Sequence, residues 1–213
     1  MIYDIIHVTR FDYAAPVGFA RCNLRLEPID WPGQRVEEHA LHISPSGRCH
    51  PALAEAGLAH VTRIVVEEPV SHLVIESTSR MRVDRLVPVP GPDDPTLAQV
   101  AEWARDSLDA EIAAWCAPDL SPDAPALEAG IALACRIQHE FAFDATATLV
   151  DTPPREAFRA RKGVCQDFAQ IMITGLRAAG LPAAYASGYI RTLPPPGEER
   201  LVGADATHAW VLL

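Results

Sequence analysis

The sequence predicts an α+β fold: an N-terminal antiparallel β region, then helices packed on a second antiparallel sheet. Residues 1–88 are rich in Val, Ile, Leu, Thr and aromatics, cut into short runs by turn residues. The stretch Val87–Pro95 is dense in proline and reads as an extended connector, the natural boundary between two domains. Residues 89–213 then carry apolar side chains at helical spacing, with strand-like runs only towards their end.

Taken in order, Ile2–Tyr13, Gly18–Trp31, Arg35–Ser44, Ala59–Glu67 and His72–Val83 read as strands. Apolar residues alternate in them, as at Leu24 and Leu26 or Leu73 and Ile75. Turn chemistry at Ala15-Pro16-Val17-Gly18, Trp31-Pro32-Gly33, Ser44-Pro45-Ser46-Gly47 and Glu68-Pro69 separates them, which predicts an antiparallel sheet or small sandwich. Helical patterns cover Thr96 to Trp115 and Ala124 to Phe141, the second with Leu127, Ile131, Ala134, Cys135 and Gln138 expected along one side. Thr152–Gly163 reads as a short helix: Thr152 as cap, Pro153 in the first helical position, Glu156 complementing the dipole and Gly163 as stop. The next helix starts near Cys165, with the stripe Cys165, Phe168, Ala169, Met172, Ile173 and Leu176, and ends at Gly180 and Pro182. Ala183–Arg191 reads as a strand, Leu193–Arg200 as an exposed loop and Thr207–Leu213 as a final strand.

Bulk properties exclude several function classes. A net charge of −10 opposes non-specific binding to nucleic acid or anionic membranes. No apolar run approaches the roughly 18–20 residues of a membrane span. The opening Met1-Ile2-Tyr3-Asp4 lacks the basic head of an export signal, so the expected compartment is the cytoplasm. The five cysteines (22, 49, 116, 135 and 165) are odd in number and contain no C-x-x-C, unlike a disulfide framework. His39, His42, Cys49 and His50 cluster loosely, but residues three apart on a strand face opposite ways, so no metal site is expected. Asp93-Asp94 and Glu198-Glu199 are simple acidic pairs without the pattern of a calcium loop. No cofactor is expected.

The chemistry sits in Gly163-Val164-Cys165-Gln166-Asp167-Phe168-Ala169. A cysteine at a helix start meets unsatisfied N–H groups and the positive end of the helix dipole, a setting that favours thiolate. Arg161 and Lys162 add positive potential nearby, and Asp167, two residues on, is expected in a structural or capping role. From these residues alone, a nucleophile and a buried core cysteine both remain open readings. Thr207-His208-Ala209-Trp210 supplies a histidine on a strand whose residues 208, 210 and 212 share a face. A thiol and a distant histidine that meet in space are what nucleophilic cysteine catalysis needs.

Three ordered motifs together resemble the bacterial transglutaminase-like superfamily. They are the cysteine motif, Ala179-Gly180-Leu181-Pro182-Ala183-Ala184-Tyr185-Ala186-Ser187-Gly188-Tyr189, and the Thr207–Trp210 run. Glu140-Phe141-Ala142-Phe143-Asp144 with Thr148 fits too, and the β-rich first third resembles the region that accompanies this core in bacterial proteins. The resemblance implies a papain-like core, with Cys165 as nucleophile and His208 as general base. The reaction it implies is acyl transfer or hydrolysis on a peptide or glutamine amide through a thioester, peptidase or amidase action being favoured over cross-linking. A non-catalytic module that binds a peptide or a partner protein on the same fold is the alternative. The resemblance also implies an acidic third member on the strand after the histidine strand. Leu213 comes before any such position and Asp205 would face the wrong side, so the expectation is a core incomplete at its C-terminus and poorly active. An exposed sheet edge near Val211 then predicts edge pairing or oligomerisation.

Overall fold

The computed structural model describes residues 1–31, 33–52, 59–84, 109–121, 123–191, 197 and 207–213. The connector 87–95, the helical pattern over 96–108, Asp205, and the loop 193–200 apart from Gly197 lie outside the described residues. The chain divides into two units, Met1–Asp94 and Pro95–Leu213.

In the first unit, β1 (Ile2–Val17), β6 (Val70–Val83) and β3 (Gln34–Ser44) form one antiparallel sheet in the order β1-β6-β3. A second antiparallel sheet has the order β2-β5-β4, from β2 (Ala20–Leu24), β5 (Val61–Val66) and β4 (Arg48–Ala52). Alternation turns Ile43, Leu73 and Ile75 of the first sheet towards Ala20, Ile64 and Val66 of the second, and these close one sandwich core. Each fully buried Leu or Ile there contributes about 1.5–3 kcal/mol relative to exposure. Two inward positions of β6 are polar and satisfied: Ser77 donates to the Leu26 carbonyl at 3.3 Å, and Ser79 lies 3.1 Å from His39 Nδ1. The strand β4 has no counterpart among the expected strands because it contains Pro51. A proline is tolerated only where its missing N–H is not needed, and β4 is an edge. The expected strand Gly18–Trp31 is shorter, ending at Leu24 ahead of Pro28.

In the second unit, α1 (Ala110–Cys116) is capped by Asp109, whose carboxylate accepts the N–H groups of Glu111 and Ile112 at 3.0 and 3.1 Å. A 3₁₀ turn (Ala117–Asp119) leads to α2 (Ala126–Glu140). The short strands β7 (Ala142–Phe143) and β8 (Lys162–Gly163) pair in parallel around α3 (Pro154–Ala160). Then come α4 (Cys165–Ala178), β9 (Ala184–Gly188) and β10 (His208–Leu212), the last two antiparallel. Helix α4 is central, packed by α1, α2, α3, β9 and β10. It therefore buries Ile171 and Asp167 as well as Ala169, Ile173 and Leu176, a wider face than the single stripe expected. Among the described residues, no helix is long and apolar enough to cross a membrane.

Two local expectations are corrected. On α2 the buried line is Ala129, Gly130, Leu133 and Ile137, while Leu127, Ile131 and Cys135 face outwards. The helix is apolar on two sides, and the side containing Gly130 is the one that accepts a close neighbour: a Cβ there would lie 2.9 Å from Leu213 Cδ2. On α3, Pro153 is the cap and Arg161, not Gly163, ends the helix in the left-handed conformation at φ 53°. The Arg161 guanidinium stacks over the rings of Trp115, Phe141 and Phe158 at 4.9, 4.7 and 4.3 Å from their centroids, contacts that offset a conformation costly for a residue with a Cβ.

Candidate active site

Cys165 is the first residue of α4 and is half-buried. Val164 before it is extended, at φ −117° and ψ 179°, so the chain enters the helix sharply at the thiol. Asp167 folds back to hold that entry. One carboxylate oxygen, Oδ2, accepts the Val164 N–H at 2.8 Å and the Thr148 hydroxyl at 2.7 Å, and the residue is 2% exposed. The capping role expected for Asp167 is the one the structure shows. It also explains Gly163: a Cβ there would lie 2.5 Å from Asp167 Oδ2 and displace the cap. With Asp167 turned back, the opening N–H groups of α4, that of Cys165 first, have no carbonyl one turn earlier and are available to an anion.

Neighbouring segments are tied to this same turn. Gln166 Nε2 donates to the Val150 carbonyl at 3.1 Å. The turn Leu149–Thr152 is closed on itself, with the Leu149 N–H donating to Thr152 Oγ1 at 2.8 Å and the Thr152 N–H to the Leu149 carbonyl at 3.1 Å. Thr152 thus caps this turn and not α3. Phe143 lies opposite Gly163 in the β7–β8 pair, and the Asp144 N–H donates to the Gly163 carbonyl at 2.9 Å.

His208 opens β10 opposite Gly188 of β9. Trp210 shares its face, as the alternation requires, and its ring lies across Gly188: a Cβ there would be 2.9 Å from Trp210 Cη2. The ring nitrogen Nε2 of His208 is enclosed and has no hydrogen-bond partner among the described residues. Packing of β9 and β10 on α4 brings the strand of His208 and the helix of Cys165 together. Tyr185 of β9 stands opposite Val211. Burial raises its phenol above the usual range.

Arg161, expected to add positive potential at the thiol, has its guanidinium within the aromatic cluster, 3.9 Å from Glu140. Glu140, which opens the motif Glu140–Asp144, is held below the usual carboxylate range chiefly by the Arg136 side chain and also accepts from Trp115 Nε1 at 3.1 Å. This cluster is a buttress under β8. Of the other cysteines, Cys116 is fully buried and its thiol is pushed up to about 12 by burial. The loose grouping of His39, His42, Cys49 and His50 dissolves: His39 and His42 lie on β3, and Cys49 and His50 on β4 of the other sheet. Among the described residues, no group of three or more His, Cys, Asp or Glu could hold a metal ion. The sequence reading missed the Thr148–Asp167 bond and the Gln166–Val150 tie. An apolar pair, Leu149-Val150, next to a hydroxyl residue was the available signal for both.

Residues 3–82 match the bacterial transglutaminase-like N-terminal region, and residues 107–212 match the transglutaminase-like superfamily. An uncharacterized protein of Mycobacterium tuberculosis is 34% identical over 228 residues, covering 98% of this chain and 72% of the relative. An uncharacterized protein of Mycobacterium leprae is 24% identical, covering 97% of this chain and 77% of the relative. The crystal structure of a "putative cysteine protease" from Cytophaga hutchinsonii superposes with a TM-score of 0.71 over 99% of this chain and 74% of that one, at 17% identity, a likeness of fold. The chain belongs to the transglutaminase-like superfamily, with the bacterial transglutaminase-like N-terminal region preceding the core.

Proposed function

We propose that the protein performs cysteine-nucleophile acyl transfer on an amide of a peptide or protein, with water the favoured acceptor. One observation carries the reading: a half-buried thiol stands on the first residue of α4 while the carboxylate two residues on is locked into the cap behind it. The Cys165 thiol passes its proton to His208 as the sulfur attacks the amide carbonyl carbon to form a C–S bond, and the oxyanion accepts the Cys165 N–H at the helix start. His208 delivers a proton to the amine as the C–N bond breaks. It then takes a proton from water, which attacks the thioester carbon, and returns that proton to the sulfur as the C–S bond breaks, releasing the acid and the free thiol. The packing of β9 and β10 on α4, which brings the strand of His208 to the helix of Cys165, supports this role. Hydrolysis is favoured over cross-linking by the name given to the Cytophaga hutchinsonii neighbour.

The test is site-resolved mass spectrometry after treatment with a peptidyl amide electrophile. Cys165 should be modified in preference to the exposed Cys49 and Cys135, and His208→Ala should slow that modification by on the order of 10²-fold or more. Modification of Cys49 and Cys135 at the rate of Cys165, with no effect of His208→Ala, would refute the assignment.

A further inference from the structure

Three large apolar side chains of the second unit stand almost fully in solvent: Phe143 at 71%, Leu149 at 75% and Val150 at 86% exposure. Each is carried by backbone fastened to the residues around Cys165. Phe143 is paired with Gly163, two residues before the thiol. Leu149 follows Thr148, whose hydroxyl is bonded to Asp167, and the Val150 carbonyl is held by Gln166, the residue next to the thiol. Internal bonds from Thr152 also fix the shape of the turn. The side chains are exposed on a backbone that is pinned at several points. Apolar groups held in water on backbone tied to the turn of Cys165 gain free energy only when an apolar surface covers them, and a substrate reaching that thiol would pass the same turn.

We infer that Leu149 and Val150, with Phe143, form an apolar rim that selects acyl-donor peptides with a bulky aliphatic or aromatic side chain beside the reacting amide. This rests on the proposed role of Cys165. The rim works by ground-state capture: covering Leu149 and Val150 removes apolar area from water on both partners, while the ties at Gln166 and Asp167 hold the bound segment in register with the sulfur. Of the four residues in the turn Leu149–Thr152, only Asp151 is charged, so an acidic segment gains nothing there.

Binding and chemistry can be measured separately. Fluorescein-labelled Gly-Leu-Gln-Leu-Gly and its counterpart Gly-Ser-Gln-Ser-Gly are titrated into the full chain carrying Cys165→Ala, with anisotropy as readout. The leucine peptide should bind about tenfold tighter or more. Adding Leu149→Ser and Val150→Ser should abolish the difference, and because both positions are solvent-exposed the fold should persist, as circular dichroism would show. Equal binding of the two peptides, or a preference that survives the double substitution, overturns the rim. In the unsubstituted chain, mass spectrometry reads whether Cys165 is acylated by the same peptides. Preferential binding without acylation supports the rim and removes the acyl-transfer reading, whereas acylation without preference removes the rim alone.

Discussion

The first and third turns of α4 lie on one helix and have opposite surroundings. At the first turn, Cys165 is half-buried, its backbone entry is held by two hydrogen bonds to Asp167, and the nearby apolar side chains face solvent. At the third, Gly175 is pressed against Cys116 so closely that any Cβ would overlap the Cys116 sulfur, and that thiol, fully buried, is pushed up to about 12. The same side-chain chemistry is thus inert at one point and accessible at the other. The contrast shows how the fold separates positioning from reactivity. Contacts with α1, α2 and the sheet fix the interior turns, and polar ties fix the tip, so the thiol is held without being covered.

The interior turn should be the more fragile. Gly175→Val forces α1 and α4 apart at Cys116, in a core where added methyl groups find no space. Overpacking of this kind costs about 3 kcal/mol, well above the roughly 1 kcal/mol by which replacing a helical glycine can help. Urea unfolding monitored by tryptophan fluorescence should show that loss, while Cys165 in the remaining folded protein keeps its labelling rate. If stability is unchanged, the close contact between α1 and α4 does not exist in solution.

How legible this division was in the sequence depended on range. The β-then-α order, the start of α4 at Cys165 and the strands at Ala184–Gly188 and His208–Leu212 follow from alternation, helical spacing and turn residues, which are local signals, whereas the pairing of those two strands does not. The strand Arg48–Ala52 was hidden because Pro51 reads as a breaker until its place at a sheet edge is known. The buried side of α2 was misread because Leu127 and Ile131 look like core, and only the close approach of Leu213 to Gly130 shows which face is covered. At the site, Cys165 and His208 stood out by residue type and context. The Thr148 bond to Asp167 did not, since the apolar pair beside residue 148 marks the turn as unusual without naming a partner on another element.

The tip should respond to a polar change where the interior responds to volume. Asp167→Ala leaves the Val164 N–H and the Thr148 hydroxyl without their acceptor, at a cost of about 2 kcal/mol for buried groups left unsatisfied. It should also free the turn Leu149–Thr152, lowering the preference for leucine-bearing peptides. Asp167→Asn retains an oxygen acceptor of the same shape and should recover most of both. Chemical denaturation of the two variants, alongside the peptide titrations, gives the comparison. A variant Asp167→Ala as stable and as selective as the parent would mean that the cap does not hold the tip.

The smallest effect is expected at the start of α1, the helix that carries Cys116 to Gly175. Asp109 caps that helix and is also paired with Arg155 of α3, which, ahead of the capping N–H groups of Ile112 and Glu111, holds its carboxyl below the usual range. A depressed folded-state value means that the carboxylate stabilises the fold above its unfolded value, near 3.9, and that this contribution disappears as the pH falls through the folded value. Asp109→Ala should therefore cost about 1 kcal/mol at neutral pH, the worth of a typical cap, with little added by a pair whose Arg155 side is half exposed. The gap between the variant and the parent should narrow below about pH 4. Thermal unfolding at several pH values measures it, with the Cys165 labelling rate of the variant equal to that of the parent at neutral pH if α1 supports only the interior turns of α4. A gap that widens in acid would show that the Asp109 carboxyl is stabilised in its protonated form, against the bonds it makes to Arg155 and the helix start.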